Sequence, residues 1–280
     1  HPALRNVSER FGNVCVIAYL DDVFLLGPGA EVQLALETLE TESKKAGLAV
    51  RREKCQRIER DCSGFLALGT PVGRKEDAER MLSELLEEKA AVLDDLPAFE
   101  VRHAFAMLRA SVTARPMYWA RTVPVAVGED AFQAFDHAVS ECVIRMSGGT
   151  DRGLSELAQV ICHLPSRSGG LGLRRFSLIR EQCWAASMSC AVQTAQQLAC
   201  LATSEALAGA LTLVRRTVPG SVELPNSQPS VDAPVAPVRQ KHLLERADKH
   251  LWQQTLDALT CPERRAWFLS NSCTESVAWL

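Results

Sequence analysis

Asp21 and Asp22 are adjacent carboxylates set between two short apolar runs: Cys15-Val16-Ile17-Ala18 leads into Tyr19-Leu20-Asp21-Asp22, and Val23-Phe24-Leu25-Leu26 follows. Ionised carboxylates are oxygen donors of the kind hard cations take. On a tight turn between rigid strands they keep positions that mutual repulsion would otherwise disturb. The same pair is also ordinary turn chemistry, because Asp bonds readily to nearby backbone. The tetrapeptide alone leaves both readings open.

Two further groups lie downstream. Arg51, Arg52, Lys54, Arg57 and Arg60 cluster within ten residues of an acidic chain; they form either a local phosphate footprint or a solvated basic face. Phe65-Leu66-Ala67-Leu68-Gly69-Thr70-Pro71-Val72-Gly73 combines glycines, which let backbone approach a partner closely, with a hydroxyl able to donate to phosphate. A plain glycine-and-proline turn is the competing account. Ser166 and Ser168 have no histidine or acid at a recognisable spacing, which argues against hydrolase chemistry. His250, Cys261 and Cys273 are spaced too irregularly for a zinc site.

These residues need a scaffold. The β-prone runs Val14 to Tyr19 and Val23 to Leu26 predict a hairpin with Asp21 or Asp22 at its tip. Val32, Leu36 and Leu39 predict a helix over 31–45, with Gly47 as its stop. Short strands are expected around Leu48 to Val50 and Gly64 to Gly69. Beyond Gly73 the period becomes helical: Leu82, Leu85, Leu86 and Leu93 mark one helix, Phe105 and Leu108 a second continuing to about Ala120, and Ala131 to Met146 a third. A short helix follows at 154–162. Gly169-Gly170-Leu171-Gly172-Leu173 is too rich in glycine for a helix interior and predicts an ordered turn. Two packed helices are expected over 180–216, a proline-rich linker over Pro219 to Pro237, and a last helix from Lys241 to Leu259.

Composition limits the partners. Lys and Arg total 31 against 34 Asp and Glu, a formal charge of -3 with pI near 6.1, so nucleic-acid contact has to be local rather than global. Ten cysteines without a CxxC pair, and an amino-terminal stretch unlike a secretory signal, predict reduced thiols and an intracellular location. No window reaches the roughly 18 apolar residues of a membrane span.

In order, the Tyr-Leu-Asp-Asp hairpin, the helix, Gly47 with Lys54, and the glycine-containing segment 65–73 resemble the later palm of reverse transcriptases. Leu164-Pro165-Ser166-Arg167-Ser168-Gly169-Gly170-Leu171-Gly172-Leu173-Arg174 is similar to segments downstream of the polymerase in retroelements of the non-long-terminal-repeat type. The resemblance implies an RNA-directed DNA polymerase acting with an RNA template, a DNA primer and deoxynucleoside triphosphates. It implies Asp21 and Asp22 as Mg²⁺ ligands (Mn²⁺ in substitution), Tyr19 near the primer end and Lys54 facing triphosphate. Arg51, Arg52, Arg57, Gly69, Thr70 and Gly73 are then phosphate or nucleic-acid contacts, and 65–73 a primer grip.

The family's earlier metal-binding aspartate and its fingers have no counterpart before Tyr19, so the chain on its own is expected to be inactive. The expected fold is α+β: an incomplete palm at 1–73, thumb-like helices at 74–147, a helical extension at 148–218, a linker at 219–240 and a helical segment at 241–280. The alternative is a non-enzymatic helical interaction protein derived from such an element, with Asp21 and Asp22 as turn residues.

Overall fold

The computed structural model describes residues 1–59, 63–148, 155–197 and 240–271. The fold is mixed α+β, mostly helical, with two separate two-stranded antiparallel sheets. It divides into two compact units, His1–Cys62 and Ser63–Leu280, so the glycine-containing segment 65–73 belongs to the second unit and the aspartate hairpin to the first. The expected linker lies outside the described residues apart from its last position, Gln240, which already begins a helix.

The first unit opens on helix α1 (Pro2–Arg10), a stretch whose sequence reads only as a charged lead. Proline fits its first turn, where its missing N–H is not needed, and the His1 ring accepts from Ala3 N at 3.3 Å. Strands β1 (Cys15–Tyr19) and β2 (Asp22–Leu26) form the expected hairpin, and α2 (Gly29–Lys45) follows. Ala3 and Val7 of α1, Val14, and Ala35 and Leu39 of α2 are buried together, with Val16 and Leu25 against them from one face of the hairpin. The helical stripe of α2 thus runs through Ala35, Leu39 and Ser43, leaving Leu36 at its edge. Leu48 to Val50 form no strand, a correction to the sequence reading: among the described residues no strand pairs with them to take their backbone hydrogen bonds.

In the second unit β3 (Phe65–Ala67) and β4 (Thr70–Val72) lead into α3 (Lys75–Ala90). The expected second helix is broken into α4 (Val101–Met107), a π-type turn at Leu108–Val112, and α5 (Pro116–Thr122). Pro116 explains the break, since its ring and missing N–H cannot continue the preceding helix but suit a new first turn. Helices α6 (Glu129–Met146), α7 (Glu156–His163), α8 (Phe176–Gln197), α9 (Gln240–Ala258) and α10 (Pro262–Asn271) complete the unit. Leu82 and Leu86 of α3, Phe132, Phe135 and Val139 of α6, and Phe176 of α8 share one core. Phe176 meets Phe135 edge-on at 6.2 Å and Phe132 at 6.1 Å. Among the described residues no helix is long and apolar enough to cross a membrane.

The glycine-rich segment is the ordered turn the sequence predicts, and its task is clear. It folds back on the end of α7, where Leu171 N donates to Ile161 O (3.1 Å), Leu173 N to Cys162 O (3.1 Å) and Gly172 N to Leu164 O (2.8 Å). The last carbonyls of a helix lack internal partners, and the turn supplies them. The His163 Nδ1–H donates to Leu173 O at 3.1 Å, and burial holds that imidazole below its ordinary pKa. A Cβ at Gly170 would stand 2.1 Å from the Leu164 carbonyl oxygen, so Gly170→Ala is expected to cost about 3 kcal/mol. Urea unfolding checks this.

Helix α8 begins on a buried carboxylate. Asp136 of α6 accepts from Phe176 N and Ser177 N, both at 2.8 Å, one at each oxygen. Asparagine offers one acceptor for two donors, so Asp136→Asn is expected to destabilise the unit by about 1–3 kcal/mol. Burial raises the Asp136 pKa above the ordinary 3.8, outweighing the amide bonds and Arg175 that lower it. The native chain therefore holds that proton more tightly than the unfolded chain, and this contribution is lost as pH rises from 3.8 through the raised value. The stability gap between wild type and Asp136→Asn should widen as pH is lowered from neutral, measured by urea midpoints across that range; a gap that narrows would contradict the linkage.

Candidate functional site

The hairpin pairs Tyr19 with Asp22, Ile17 with Phe24 and Cys15 with Leu26, leaving Leu20 and Asp21 as a two-residue turn. Asp22 is therefore the first residue of a strand and Asp21 the tip itself. Both are exposed, and among the described residues neither carboxylate has a hydrogen-bond or ion-pair partner. Leu20 sits at φ 52° and is 87% exposed. A left-handed conformation costs an L-residue with a Cβ about 1–2 kcal/mol. A two-residue hairpin turn calls for a positive φ at its first position, and Leu68 in the β3–β4 turn adopts the same conformation at φ 51°.

Successive side chains alternate across a strand pair. Val16 and Leu25 face the helices, so Cys15, Ile17, Tyr19, Asp22, Phe24 and Leu26 share the opposite face, where Phe24 is half-buried, the others are exposed and Tyr19 is open at 58%. This face carries a continuous apolar strip ending in one aspartate, with the second at the tip beyond it. Two oxygen-donor side chains are of the right chemistry for a hard divalent cation, but such ions take six or more oxygens. Among the described residues no group of three or more His, Cys, Asp or Glu converges on one point. The aspartate pair fits a metal only as part of a larger donor set.

The basic cluster is partly committed elsewhere. Arg52, in a short helical turn at Arg52–Lys54, donates to Glu40 of α2 at 2.8 Å, and that bond holds the Glu40 carboxyl below its ordinary pKa. Arg57 pairs with Glu59 at 3.3 Å on the surface. Arg51 and Lys54 are exposed, and neither forms an ion pair among the described residues. No hydrogen bond or ion pair joins Lys54 to Asp21 or Asp22. Among the described residues the cluster therefore offers two cations with unused donors rather than four, and Arg60 lies outside them.

In the second unit, Gly69 forms the β3–β4 turn with Leu68. Helix α5 fastens that tip: Trp119 Nε1 donates to Gly69 O at 3.0 Å, Thr70 Oγ1 donates to Tyr118 Oη at 3.2 Å, and Tyr118 Oη donates to Leu68 O. The Thr70 hydrogen is thus given to Tyr118. Gly73 is required by the fold itself, since a Cβ there would stand 2.7 Å from Gly64 Cα. Nothing in the sequence marks Tyr118 and Trp119; adjacent aromatics ahead of the Ala131 helix give no sign that they meet a turn some 50 residues earlier. Trp119→Phe is expected to cost about 1–2 kcal/mol through the missing bond and poorer packing. It should speed hydrogen exchange at the β3–β4 tip while leaving β1–β2 amides unchanged, as read by NMR.

Comparison with known proteins finds no family model that matches the chain, and no curated protein or solved structure with a significant match.

Proposed function

We propose that this chain is the later part of a reverse transcriptase of a non-long-terminal-repeat retroelement, whose parent activity is divalent-metal-dependent addition of deoxynucleotides to a primer 3′ end. The observation that carries the reading is the exposed two-residue turn that presents the unpartnered Asp21 and Asp22 from two paired strands. Carboxylates left exposed and unpartnered at a fixed hairpin tip are free to take a cation or a substrate group. The two-stranded β1–β2 sheet supports the same reading, because its outer edges are where further palm strands would pair.

Mg²⁺ bound in a complete site would activate the attacking 3′ hydroxyl and neutralise the departing pyrophosphate, ordinarily with two ions about 3.5–4 Å apart. This chain's part is to supply two carboxylate ligands: Asp22 fixed by strand pairing, and Asp21 aimed by the turn. Tyr19 flanks them on the open face, at the expected primer end. Arg51 and Lys54 offer unpaired charge for triphosphate. The β3–β4 tip, pinned by Trp119 and Tyr118, is a rigid backbone edge for a primer strand, with the template as RNA. The thumb would correspond to the helices after Gly73.

A second reading also has an observation behind it. The helical unit has its own buried core and is held by interactions that do not involve Asp21 or Asp22. It would serve as an interaction module with the hairpin as a relic.

Labelled deoxynucleotide incorporation on primed RNA with Mg²⁺ or Mn²⁺ tests the proposal. The 280-residue chain should give no detectable extension, and the chain joined to the polypeptide encoded upstream of His1 should extend. Asp21→Asn in that longer protein should lower extension by about 10²–10³-fold or more while folding is kept, because the amide preserves shape and removes charge. Undiminished extension by the Asp21→Asn protein would remove Asp21 from the metal site, and no extension by the longer protein would favour the interaction module.

A further inference from the structure

A second cluster of charge lies in the helical unit. A cavity of about 300 Å³ opens between the glycine-rich turn and the start of α9, lined by Arg167, Arg174, Gln240, Lys241, Glu245 and Asp248. Its size is at the small end of ligand pockets, enough for a phosphate with part of a sugar. Arg109 reaches the same turn: a Cβ on Gly172 would lie 3.4 Å from its Nε. Three cations thus line the cavity against two carboxylates in a chain whose net charge is -3, with Arg109 on the turn behind.

The pairing within the cavity is uneven. Arg174 grips Asp248 at 3.0 Å, whereas Arg167 lies 3.5 Å from Asp248 and 3.4 Å from Glu245, and Lys241 is 3.9 Å from Glu245. Arg109 has no ion pair among the described residues. Asp248 is nearly enclosed, with 8% of its side chain exposed, while the Arg167 and Lys241 side chains are 52% and 77% exposed. One guanidinium is therefore fixed as a wall by a buried carboxylate, and two exposed cations with unused donors stand at the mouth. Arginine forks match phosphate oxygens in bidentate geometry, and a lysine adds a point charge. The Asp248 carboxylate presents two oxygens to Arg167 and Arg174 much as a phosphate would, which makes it a built-in competitor.

We propose that this cavity is a phosphate-binding site, with Arg167 and Lys241 closing on the phosphate oxygens, Asp248 competing for the guanidinium of Arg167 and Glu245 for both cations. Such a site goes beyond the polymerase reading and needs neither aspartate of the hairpin. The phosphate belongs either to a free anion or to a single-stranded RNA backbone, and the two sources are separable.

The test uses the 280-residue chain with inorganic pyrophosphate by calorimetry, and with a short fluorescent single-stranded RNA by anisotropy. Arg167→Gln combined with Lys241→Gln, both largely exposed positions, should weaken binding of whichever probe binds by about tenfold. The same double variant should reduce the salt dependence of RNA binding by roughly 0.7 in slope for each phosphate left without its cation. Asp248→Asn should instead tighten binding about threefold or more, since a neutral amide no longer competes for the guanidinium groups. Thermal melts establish that each variant is folded, and the double variant keeps the test independent of any destabilisation by Asp248→Asn. Pyrophosphate binding without RNA binding assigns a free phosphate; RNA binding that pyrophosphate displaces assigns the backbone phosphate. Either result with the expected variant pattern supports the site. Binding of neither probe, or binding that the double variant leaves unchanged, would overturn it.

Discussion

The backbone amides of Phe176 and Ser177 open the helix against which α5, α6 and α9 all pack, and both end on one buried carboxylate, Asp136. A helix start has unpaired N–H groups that cannot be buried without acceptors. Asp136 supplies two acceptors from inside α6, so the register of α8 on α6 is set by a bidentate contact as well as by Phe132, Phe135 and Phe176. Arg180, one turn further along, is buried over the Phe132 ring and donates to the carbonyls of Val125 and Val127. Burial pulls its pKa below the ordinary value. Two buried ionisable groups of opposite sign thus lie in the same core, each bonded to backbone, which is how a charge survives away from water. Between them they tie the loop before α6, α6 itself and α8 into one arrangement.

The glycine-rich turn extends that arrangement backwards. Its amides close the carbonyl end of α7, Leu164 and Leu173 are fully buried at its two ends, and Phe176 follows three residues later. Arg167 and Arg174 leave it on the side where α9 places Asp248. The turn therefore does two things at once: it satisfies a helix terminus and it positions two guanidinium groups around a cavity. Close backbone approach at Gly170 is what permits the first, and the short span between the two arginines permits the second.

The aspartate hairpin obeys different physics. Its stabilising face is limited to Val16 and Leu25 on a small core with α1 and α2. Apart from the half-buried Phe24, the rest of its apolar surface is exposed, its turn holds Leu20 at a positive φ, and its carboxylates are without partners among the described residues. Around α8 charge is buried and bonded; on the hairpin it is displayed and unused. Arg52 of the first unit is drawn back onto Glu40 of α2.

Local pattern was enough to read several elements. Two short apolar, β-prone runs on either side of Leu20-Asp21-Asp22 specify a hairpin because strand propensity and a tight polar turn are decided within about ten residues. Leu82 and Leu86, and the run from Ala131 to Met146, specify helices for the same reason, and three glycines in four residues specify a turn. The sequence alone also placed Asp21 or Asp22 at the tip and the basic cluster after α2. Tertiary structure decided the remainder. Helix α1 is amphipathic but only nine residues long, too short to hold alone, and persists because Ala3 and Val7 are covered by α2 and Val14. Leu48 to Val50 look like a strand and are not one, since a strand exists only with a partner. Asp136, Arg180, Trp119 and Asp248 resemble surface or core residues in sequence, and their roles depend on groups some 40 to 75 residues away. Dihedral preference and side-chain period are properties of neighbours along the chain, whereas the satisfaction of a buried charge or amide is a property of neighbours in space.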